Sequence, residues 1–600
     1  MTYTSYYDII SRVENVNVYR KLVNKYPTFA DMDTIKAEIY NIIEGAIDAA
    51  VAAGEITIPE VPKIPFSPTK TPEHGDVATP IALGLAKQAR MAPRKIAEII
   101  VAHINLDAHP TIRQIDIAGA GFINIHLADN YLYDTLQTIA TMQETYGTRN
   151  KGEGKQLQIE FVSANPTGPI NIVSGRAAAV GDTLVNLLNA IGYNALREYY
   201  VNDAGGQVER LGESIDVRYR QALGEEGLEI PEGGYQGEYL REFAQTIADT
   251  EGDVYLQLET KARVATFRDK GIAHILAQQR KSLERFGVDF DVWSSEKAIR
   301  ESGKPEEIVQ VFRENGCLYE AEGATWFRMT DFGDDKDCVV IKSDGEYTYF
   351  VPDAAYHRDK FDRGFTTVID LLGPDHQGHI THLKNLVKAL GMPDDWLEIF
   401  IIQQVNLVDA EGKRSDMSKR RGQFLTLDDL IDELAETVGE QFAVDVARYF
   451  FLMRANSTHL DFNMELAVTH ASENPVFYIQ YAHARCCSIF EQGDEQGIAP
   501  KLIEAVSLKR LTEPMEHELI RKLAEFPSAV LLSAEAREAH RVVHYLHELA
   551  GIFHPYYNQH RVLDPADMEK TYARLILIQS VQTVLKNGLT LLGISAPTSM

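Results

Sequence analysis

Residues 156–169, QLQIEFVSANPTGP, decide the fold. The first six alternate apolar and polar as a strand does, and the Pro/Gly turn that follows leads into RAAAVGDTLVNLLNAIGY (176–193), which carries a helical period. ALREYYVN (195–202) then reads as a second strand. Strand, loop, helix and strand within about fifty residues make a βαβ unit, hence a parallel sheet with a right-handed crossover. Ligands of such sheets bind at the carboxyl ends of the strands. The two prolines and the glycine fix the turn, and a helix starting near Asn171 aims its free N–H groups at those strand ends, where they attract phosphate. Ala164, Asn165, Pro166, Thr167, Gly168 and Pro169, with Asn171 and Ser174 on the first helical turn, are therefore candidate nucleotide residues. On pattern alone an ordinary strand-to-helix turn fits equally well.

Working outward, residues 1–31 form an extension that matches no motif. Residues 32–130 mix helix (34–54 and 84–104, the latter broken at Pro93) with an alternating strand at 112–127, giving a small α+β domain. The parallel-sheet domain spans 155–410, with a charged helical insertion at about 210–300. Strands are expected at ATWFRM (324–329), CVVIKS (338–343), YTYFVP (347–352), TTVIDLLG (366–373) and LEIFIIQQVNLV (397–408), and a helix near 381–391. Residues 411–465 open with a loop and continue into a capped helix, and from about Phe442 the chain is almost wholly helical, with 466–600 as the last unit. The expected class is α/β: a Rossmann-type parallel-sheet domain, preceded by the α+β domain and followed by an all-α bundle.

Six hundred residues at 45% hydrophobic and 24% charged suit about four globular units and exclude wholesale disorder. No run approaches the roughly 18 apolar residues of a membrane span, and MTYTSYYDIISRVENV lacks the basic and apolar regions of a secretion signal, so a cytoplasmic chain is expected. Cys317, Cys338, Cys486 and Cys487 form no metal or redox spacing and read as reduced. The net charge of −28 argues naively against a polyanionic partner. Net charge sums over the whole surface, however, whereas phosphate binding needs only a local patch.

Such a patch exists in GKRSDMSKRRGQFLTLDDL (412–430), where Lys413, Arg414, Lys419, Arg420 and Arg421 gather around Met417, Ser418 and Gly422. Five cations there can neutralise a triphosphate; an isolated charge run is otherwise a solvated loop. A third stretch, YTYFVPDAAYHRDKF (347–361), puts Tyr349 and Asp353 four apart across a turn, and LLGPDHQGHITHL (371–383) puts Asp375, His376 and His379 after a strand. One aspartate beside HxxH, with no further convergent ligand, is a weak metal signal, so contacts to adenine or ribose are preferred and no protein-bound metal is expected.

Taken together these stretches resemble a class I aminoacyl-tRNA synthetase, specifically the arginyl-tRNA synthetase family. EHGDVATPIALGLAK (73–87) is similar to its N-terminal domain, and FVSANPTGP with REYYVNDAGGQ (197–207) to its first ATP motif region. Residues 330–361 and 371–379 resemble its second Rossmann half, MSKRRGQFLTLDDLIDE (417–433) its second ATP motif, and ENPVFYIQYAHAR (473–485) with LLGISAPTSM (591–600) its anticodon-binding domain. The resemblance implies ATP-dependent activation of L-arginine and transfer to the terminal adenosine of tRNA(Arg), with Mg²⁺ carried by the nucleotide and a monomeric enzyme. It places Glu160 and Asn165 on the amino and carboxylate ends of arginine, and Tyr349 and Asp353 on its guanidinium, a planar donor fork that calls for carboxylates. Asp375, His376, Met417 and Arg420 would contact ATP, and Lys419, Ser418, Asn171 and Ser174 would act in catalysis. Tyr481 and Arg485, four apart on one helical face, would stack on an anticodon base and hold phosphate.

The chain departs from the family pattern. The first motif, expected as His-x-Gly-His, reads Asn171, Ile172, Val173, Ser174, and the second, expected as Lys-Met-Ser-Lys-Ser, begins with Asp416 while keeping Lys419. Asparagine and serine can donate to phosphate but carry no imidazolium charge. Two readings stand: an active branch with a divergent motif, or a relative that binds tRNA or arginine without adenylation. The intact arginine set favours the first, and the pairing of Glu160 with Asp353 suits a cationic amino acid over glutamate, glutamine or cysteine.

Overall fold

The computed structural model describes residues 32–68, 74–409, 411–413 and 426–600. The first domain begins with α1 (Met32–Ala52), whose Ile35, Ile39, Ile43, Ile47 and Ala50 recur at helical spacing and are buried. The strands β1 (Ser67–Pro68) and β2 (Val77–Thr79) precede α2 (Ile81–Ala89) and α3 (Pro93–Ala102). These two helices are separate because Arg90 turns left-handed at the end of one and Pro93 occupies the first turn of the next. The 112–127 stretch is a hairpin, β3 (Ile112–Ala118) and β4 (Phe122–Leu127), folding at Gly119 and Gly121. The antiparallel order is β1-β2-β4-β3, and α4 (Asp129–Met142) leads onward.

The central sheet is wholly parallel. Strand β5 (Gln156–Glu160) is followed by α5 (Ile172–Ala190) and β6 (Asn194–Val201), which pairs with β5 in parallel register. Helix α5 lies so close to the sheet that a side-chain carbon on Gly181 would meet the Phe161 ring at 2.2 Å, so glycine is required there. Helices α6 (Gly206–Ala222), α7 (Glu238–Glu251) and α8 (Thr260–Arg285) form an insertion with its own core of Leu211, Ile215, Tyr219, Leu240 and Phe267.

Three sequence expectations need correcting. The helical insertion does not run to 300: VWSS forms β7 (Val292–Ser295), which pairs in parallel with β6, Ser294 opposite Tyr200. After α9 (Glu296–Glu301) and α10 (Lys304–Glu314) comes a small antiparallel sheet of β8 (Leu318–Ala321), β9 (Ala324–Phe327) and β10 (Cys338–Ile341). YTYFVP is not a strand: beyond one bridge from Tyr347 to Ile341 the chain enters α11 (Phe350–Asp362), with Pro352 in its first turn, where a missing N–H costs nothing. After β11 (Thr367–Leu372) and α12 (Ile380–Ala389), LEIFIIQQVNLV makes two strands instead of one. These are β12 (Leu397–Ile401) in the central sheet and β13 (Val405–Val408) outside it, with the Gln403 carbonyl between them held by Arg176.

The central order, β12-β11-β5-β6-β7, reverses direction between β5 and β11, the switch point at which a parallel sheet opens a crevice. Helices α13 (Leu427–Val438) and α14 (Glu440–Leu452) and strand β14 (Leu460–Asn463), which pairs with β13, connect to the bundle. That bundle contains α15 (Pro475–Glu495), α16 (Pro514–Ala524), α17 (Phe526–Ala536), α18 (His540–Gln559) and α19 (Met568–Leu591). The chain beyond α19 locks onto the parallel-sheet half. Fully buried Arg448 on α14 reaches Asp182 on α5 and the Leu592 carbonyl, beside Gly593, whose φ of +66° and tight approach to the guanidinium admit no side chain. Asp445 accepts from Gln480 and Ser595. His483, within FYIQYAHAR (477–485), bonds the Pro597 carbonyl and belongs to this core. All four cysteines are free. No described helix is long and apolar enough to cross a membrane.

Candidate active site

A cavity of about 1090 Å³ opens at the switch point. Its walls come from the β5 exit (Val162 to Asn165), the start of α5 (Asn171 to Ser174), the β11 exit (Gly373 to His376) and β13. That volume reaches the upper end of the range for small-molecule sites, roughly 300–1,000 Å³. The chain leaves β5 through two non-glycine residues with positive φ, Val162 at 68° and Ser163 at 38°. A β-branched residue adopts this conformation rarely and at a cost, here held where the wall of the crevice is shaped.

Asn171 is the N-cap of α5: its Oδ1 accepts from the Ser174 N–H at 2.8 Å. The cap occupies the oxygen and leaves the amide NH₂ of this exposed side chain available as a donor. Ala164, Asn165, Asn171, Ser174, Asp375 and His376 all line the cavity. Pro166, Thr167, Gly168 and Pro169 do not line it. Instead the Thr167 carbonyl accepts from Tyr239, and the Asn165 and Gly168 carbonyls accept from buried Gln279 at 3.0 and 2.7 Å, so the insertion braces the turn. Arg176, fully buried on α5, donates to the carbonyls of Gln403, Ala455 and Thr458 and thereby ties this helix to the segment entering β13. Burial lowers its guanidinium to about 10. No lysine or arginine is among the described residues lining the crevice, although Gly412 is. Met417, Ser418, Lys419 and Arg420 lie outside the described residues, as do Arg414 and Arg421.

Beside the crevice lies a cluster of carboxylates, reached through Ser163. Glu160, at the end of β5, accepts from Ser163 at 3.0 Å and from Lys360 at 2.7 Å. Lys360, fully buried on α11, also donates to Asp370 at 2.9 Å. Burial would lower its ammonium, but Asp370, Glu160 and Glu198 outweigh that and raise it, so it stays charged. Burial raises Glu160 against the pull of Lys360, whereas Asp370, with Lys360 and His357 both bonded to it, is held down to about 2 despite its burial. Glu198 accepts from Tyr356 and Ser294 and from both nitrogens of the Arg363 fork, and these bonds hold it ionised against burial.

Tyr349 and Asp353 occupy one turn at the start of α11, Tyr349 as the N-cap and 60% exposed. Burial pushes the Asp353 carboxyl up to about 7, with His357 and Arg300 opposing the rise and Glu296 and Glu160 adding to it. Glu296 is raised as well, again mainly by burial. Several carboxylates thus converge with too little positive charge, the complement of a cationic side chain. Glu296 is a residue that sequence reading missed. It follows VWSS directly, and treating β7 as insertion hid its place at a strand end. Among the described residues no group of three or more His, Cys, Asp or Glu is arranged to hold a metal ion.

On the bundle, Tyr481 and Arg485 do share a face of α15. The Arg485 guanidinium sits over the Tyr481 ring at 4.4 Å and the Tyr557 ring at 4.7 Å and donates to His554 at 2.9 Å. Tyr481 also stacks on Phe477 and His554. The result is a half-exposed aromatic and cationic platform.

Three family models match successive parts of the chain. Residues 37–127 match the arginyl tRNA synthetase N terminal domain, 135–444 the class I (R) tRNA synthetase catalytic domain, and 479–600 the DALR anticodon binding domain. The arginine–tRNA ligase of Bacillus licheniformis is 44% identical over 568 residues, covering 95% of this chain and 99% of its own. That of Bacillus subtilis is 44% identical over 567 residues, covering 94% and 100%. A solved structure of a putative arginyl-tRNA synthetase from Campylobacter jejuni aligns with a TM-score of 0.71 at 31% identity, over 79% of this chain and all of the other. The Thermus thermophilus arginyl-tRNA synthetase has the same fold, with a TM-score of 0.71 at 20% identity over 94% of this chain and all of its own. With a parallel-sheet crevice, a carboxylate pocket and relatives matched nearly end to end, the chain belongs to the arginyl-tRNA synthetase family, class I ligases that use ATP to join arginine to tRNA.

Proposed function

We propose that the crevice over β5 and β11 adenylates L-arginine with its divergent first motif in place, and that the product is then passed to the terminal adenosine of tRNA(Arg). The observation that carries this reading is that Ser163 joins the two halves: it lines the nucleotide crevice and donates to Glu160 of the carboxylate pocket. Arginine bound by Glu160 and Asn165 at its backbone end, and by Asp353, Tyr349 and Glu296 at its guanidinium, presents its carboxylate toward the crevice. In-line attack of that carboxylate on the α-phosphate forms the acyl-phosphate bond and releases pyrophosphate. Such a step is promoted by positioning and charge neutralisation rather than by covalent help from the protein. The N–H groups opening α5, the Asn171 amide and the Ser174 hydroxyl supply aligned donors; Ala164, Asp375 and His376 border the nucleoside; Lys419, with Met417, Ser418 and Arg420 beside it, supplies the cationic charge that the missing imidazoles do not. Gly412 on the crevice wall supports this, since the cationic segment starts there.

Mg²⁺ supplies further charge neutralisation and enters as the nucleotide's own counterion. The described residues offer no cluster to hold it independently. Tyr481 and Arg485 take an unpaired anticodon base, and the enzyme works as a cytoplasmic monomer. One observation favours the competing reading of a binder that does not adenylate: Val173 lines the crevice where the family pattern has glycine, and its branched side chain narrows the wall. Two variants test the assignment. Asp353→Ala raises the KM for arginine and leaves that for ATP within about twofold, and Lys419→Ala lowers the rate of ATP–pyrophosphate exchange more than it weakens arginine binding. Equal losses in both parameters from Lys419→Ala would contradict its role.

A further inference from the structure

Tyr200 lies near the carboxyl end of β6 and is only 8% exposed, yet its hydroxyl has no hydrogen-bond partner. Everything else about the residue is fixed. Its N–H donates to Ser163 Oγ at 3.0 Å, the same hydroxyl that donates to Glu160. Its ring stacks on Tyr356, centroids 4.3 Å apart at 30°, and Tyr356 in turn is held by Glu198. Its register partner on β7 is Ser294, two residues before Glu296. Besides burial, the charges that act on the phenol are those of Glu296, Asp353, Glu160 and Arg300. An orphaned buried hydroxyl is costly, and a rigid one among carboxylates is a partner in waiting.

We infer that Tyr200 is a further specificity-determining residue, whose phenol oxygen accepts an N–H of the arginine guanidinium. The inference rests on the assignment of Asp353 and Glu296 to the guanidinium. A guanidinium offers five N–H donors in a fixed plane and has no acceptor of its own, and two carboxylates facing it side-on meet four of those donors. The phenol oxygen is an acceptor for the fifth. A lysine ammonium, a point charge on a thinner stem, gives that oxygen no planar N–H to receive.

The test is Tyr200→Phe, which keeps the ring and its stack on Tyr356 and removes the oxygen alone. The expected result is a KM for arginine raised about 10- to 100-fold, the loss of a hydrogen bond to a charged group, with the KM for ATP unchanged. Because the variant removes an unsatisfied buried hydroxyl, the unfolding temperature of the arginine-free enzyme stays level or rises; a purely structural role would lower it and move both KM values. Should part of the variant misfold, the KM values still decide, because neither depends on the fraction of enzyme that is active. An arginine KM within about twofold of wild type overturns the inference. Asp353→Asn, measured alongside, separates the two claims. If it weakens arginine while Tyr200→Phe does not, the role of Tyr200 fails alone; if neither does, the pocket assignment itself is wrong.

Discussion

Arginine binding should weaken about tenfold between pH 8 and pH 6, and Asp353 sets that figure. Its carboxyl is pushed up to about 7 by burial, with Glu296 and Glu160 adding to the rise and His357 and Arg300 opposing it. A neutral carboxyl cannot pair with a guanidinium, so the ionised form binds and affinity falls on the acid side. With that value, the ionised fraction drops from about nine-tenths at pH 8 to about one-tenth at pH 6, a tenfold loss worth about 1.4 kcal/mol. The bound cation pulls the carboxyl back to its charged form, so binding at pH 7 releases about half a proton per arginine. Isothermal titration calorimetry in two buffers of different ionisation enthalpy reads both quantities. Asp353→Asn should bind weakly and with a much smaller slope, the remainder coming from Glu160 and Glu296, which burial also raises. Affinity that stays flat from pH 8 to pH 6, or a slope undiminished in Asp353→Asn, would overturn this role for Asp353.

Lys360→Met leaves Glu160 and Asp370 buried without their shared cation. Removing one partner of a buried ion pair typically destabilises by about 3–5 kcal/mol, so thermal unfolding should begin several degrees earlier and the KM for arginine should rise. Arg176→Met strands the Gln403, Ala455 and Thr458 carbonyls that tie α5 to the segment entering β13. The expected result is a raised KM for ATP with arginine affinity held near wild type, measured by pyrophosphate exchange. Arg485→Ala removes the cation lying over Tyr481 and Tyr557, and Tyr481→Ala removes the stacking surface. A base–aromatic stack contributes about 1–3 kcal/mol, so Tyr481→Ala should raise the KM for tRNA roughly 5- to 150-fold while leaving the KM for ATP alone.

The βαβ unit was legible because its signals are local: an alternating strand, a Pro/Gly turn and a helical period follow one another within β5, α5 and β6. The same locality explains the failures. VWSS is four residues long and only partly buried, too short to show a period, and its place at the sheet edge comes from pairing with β6. YTYFVP is rich in strand-forming aromatics, yet α11 takes it over by packing Phe350 and Val351 into a core that the sequence does not display. Tyr349, Asp353, Glu160 and Asn165 were named by family resemblance. Glu296, Lys360, Arg176 and Tyr200 were not, because each gains its meaning from partners far along the chain: Lys360 from Glu160, Arg176 from Gln403 and Thr458, and Tyr200 from Ser163. A buried charge or an orphaned hydroxyl is visible once the chain has folded around it.

The central claim is that a crevice offering Asn171 and Ser174 where the family pattern has two histidines still activates arginine. Its most direct measurement is charging by the purified wild-type enzyme with L-arginine, Mg²⁺–ATP and tRNA(Arg), following arginyl ester on the tRNA together with release of AMP and pyrophosphate. Arginyl-tRNA should form one for one with AMP, dependent on all three substrates. Tight binding of arginine and tRNA with no ester and no AMP would contradict it.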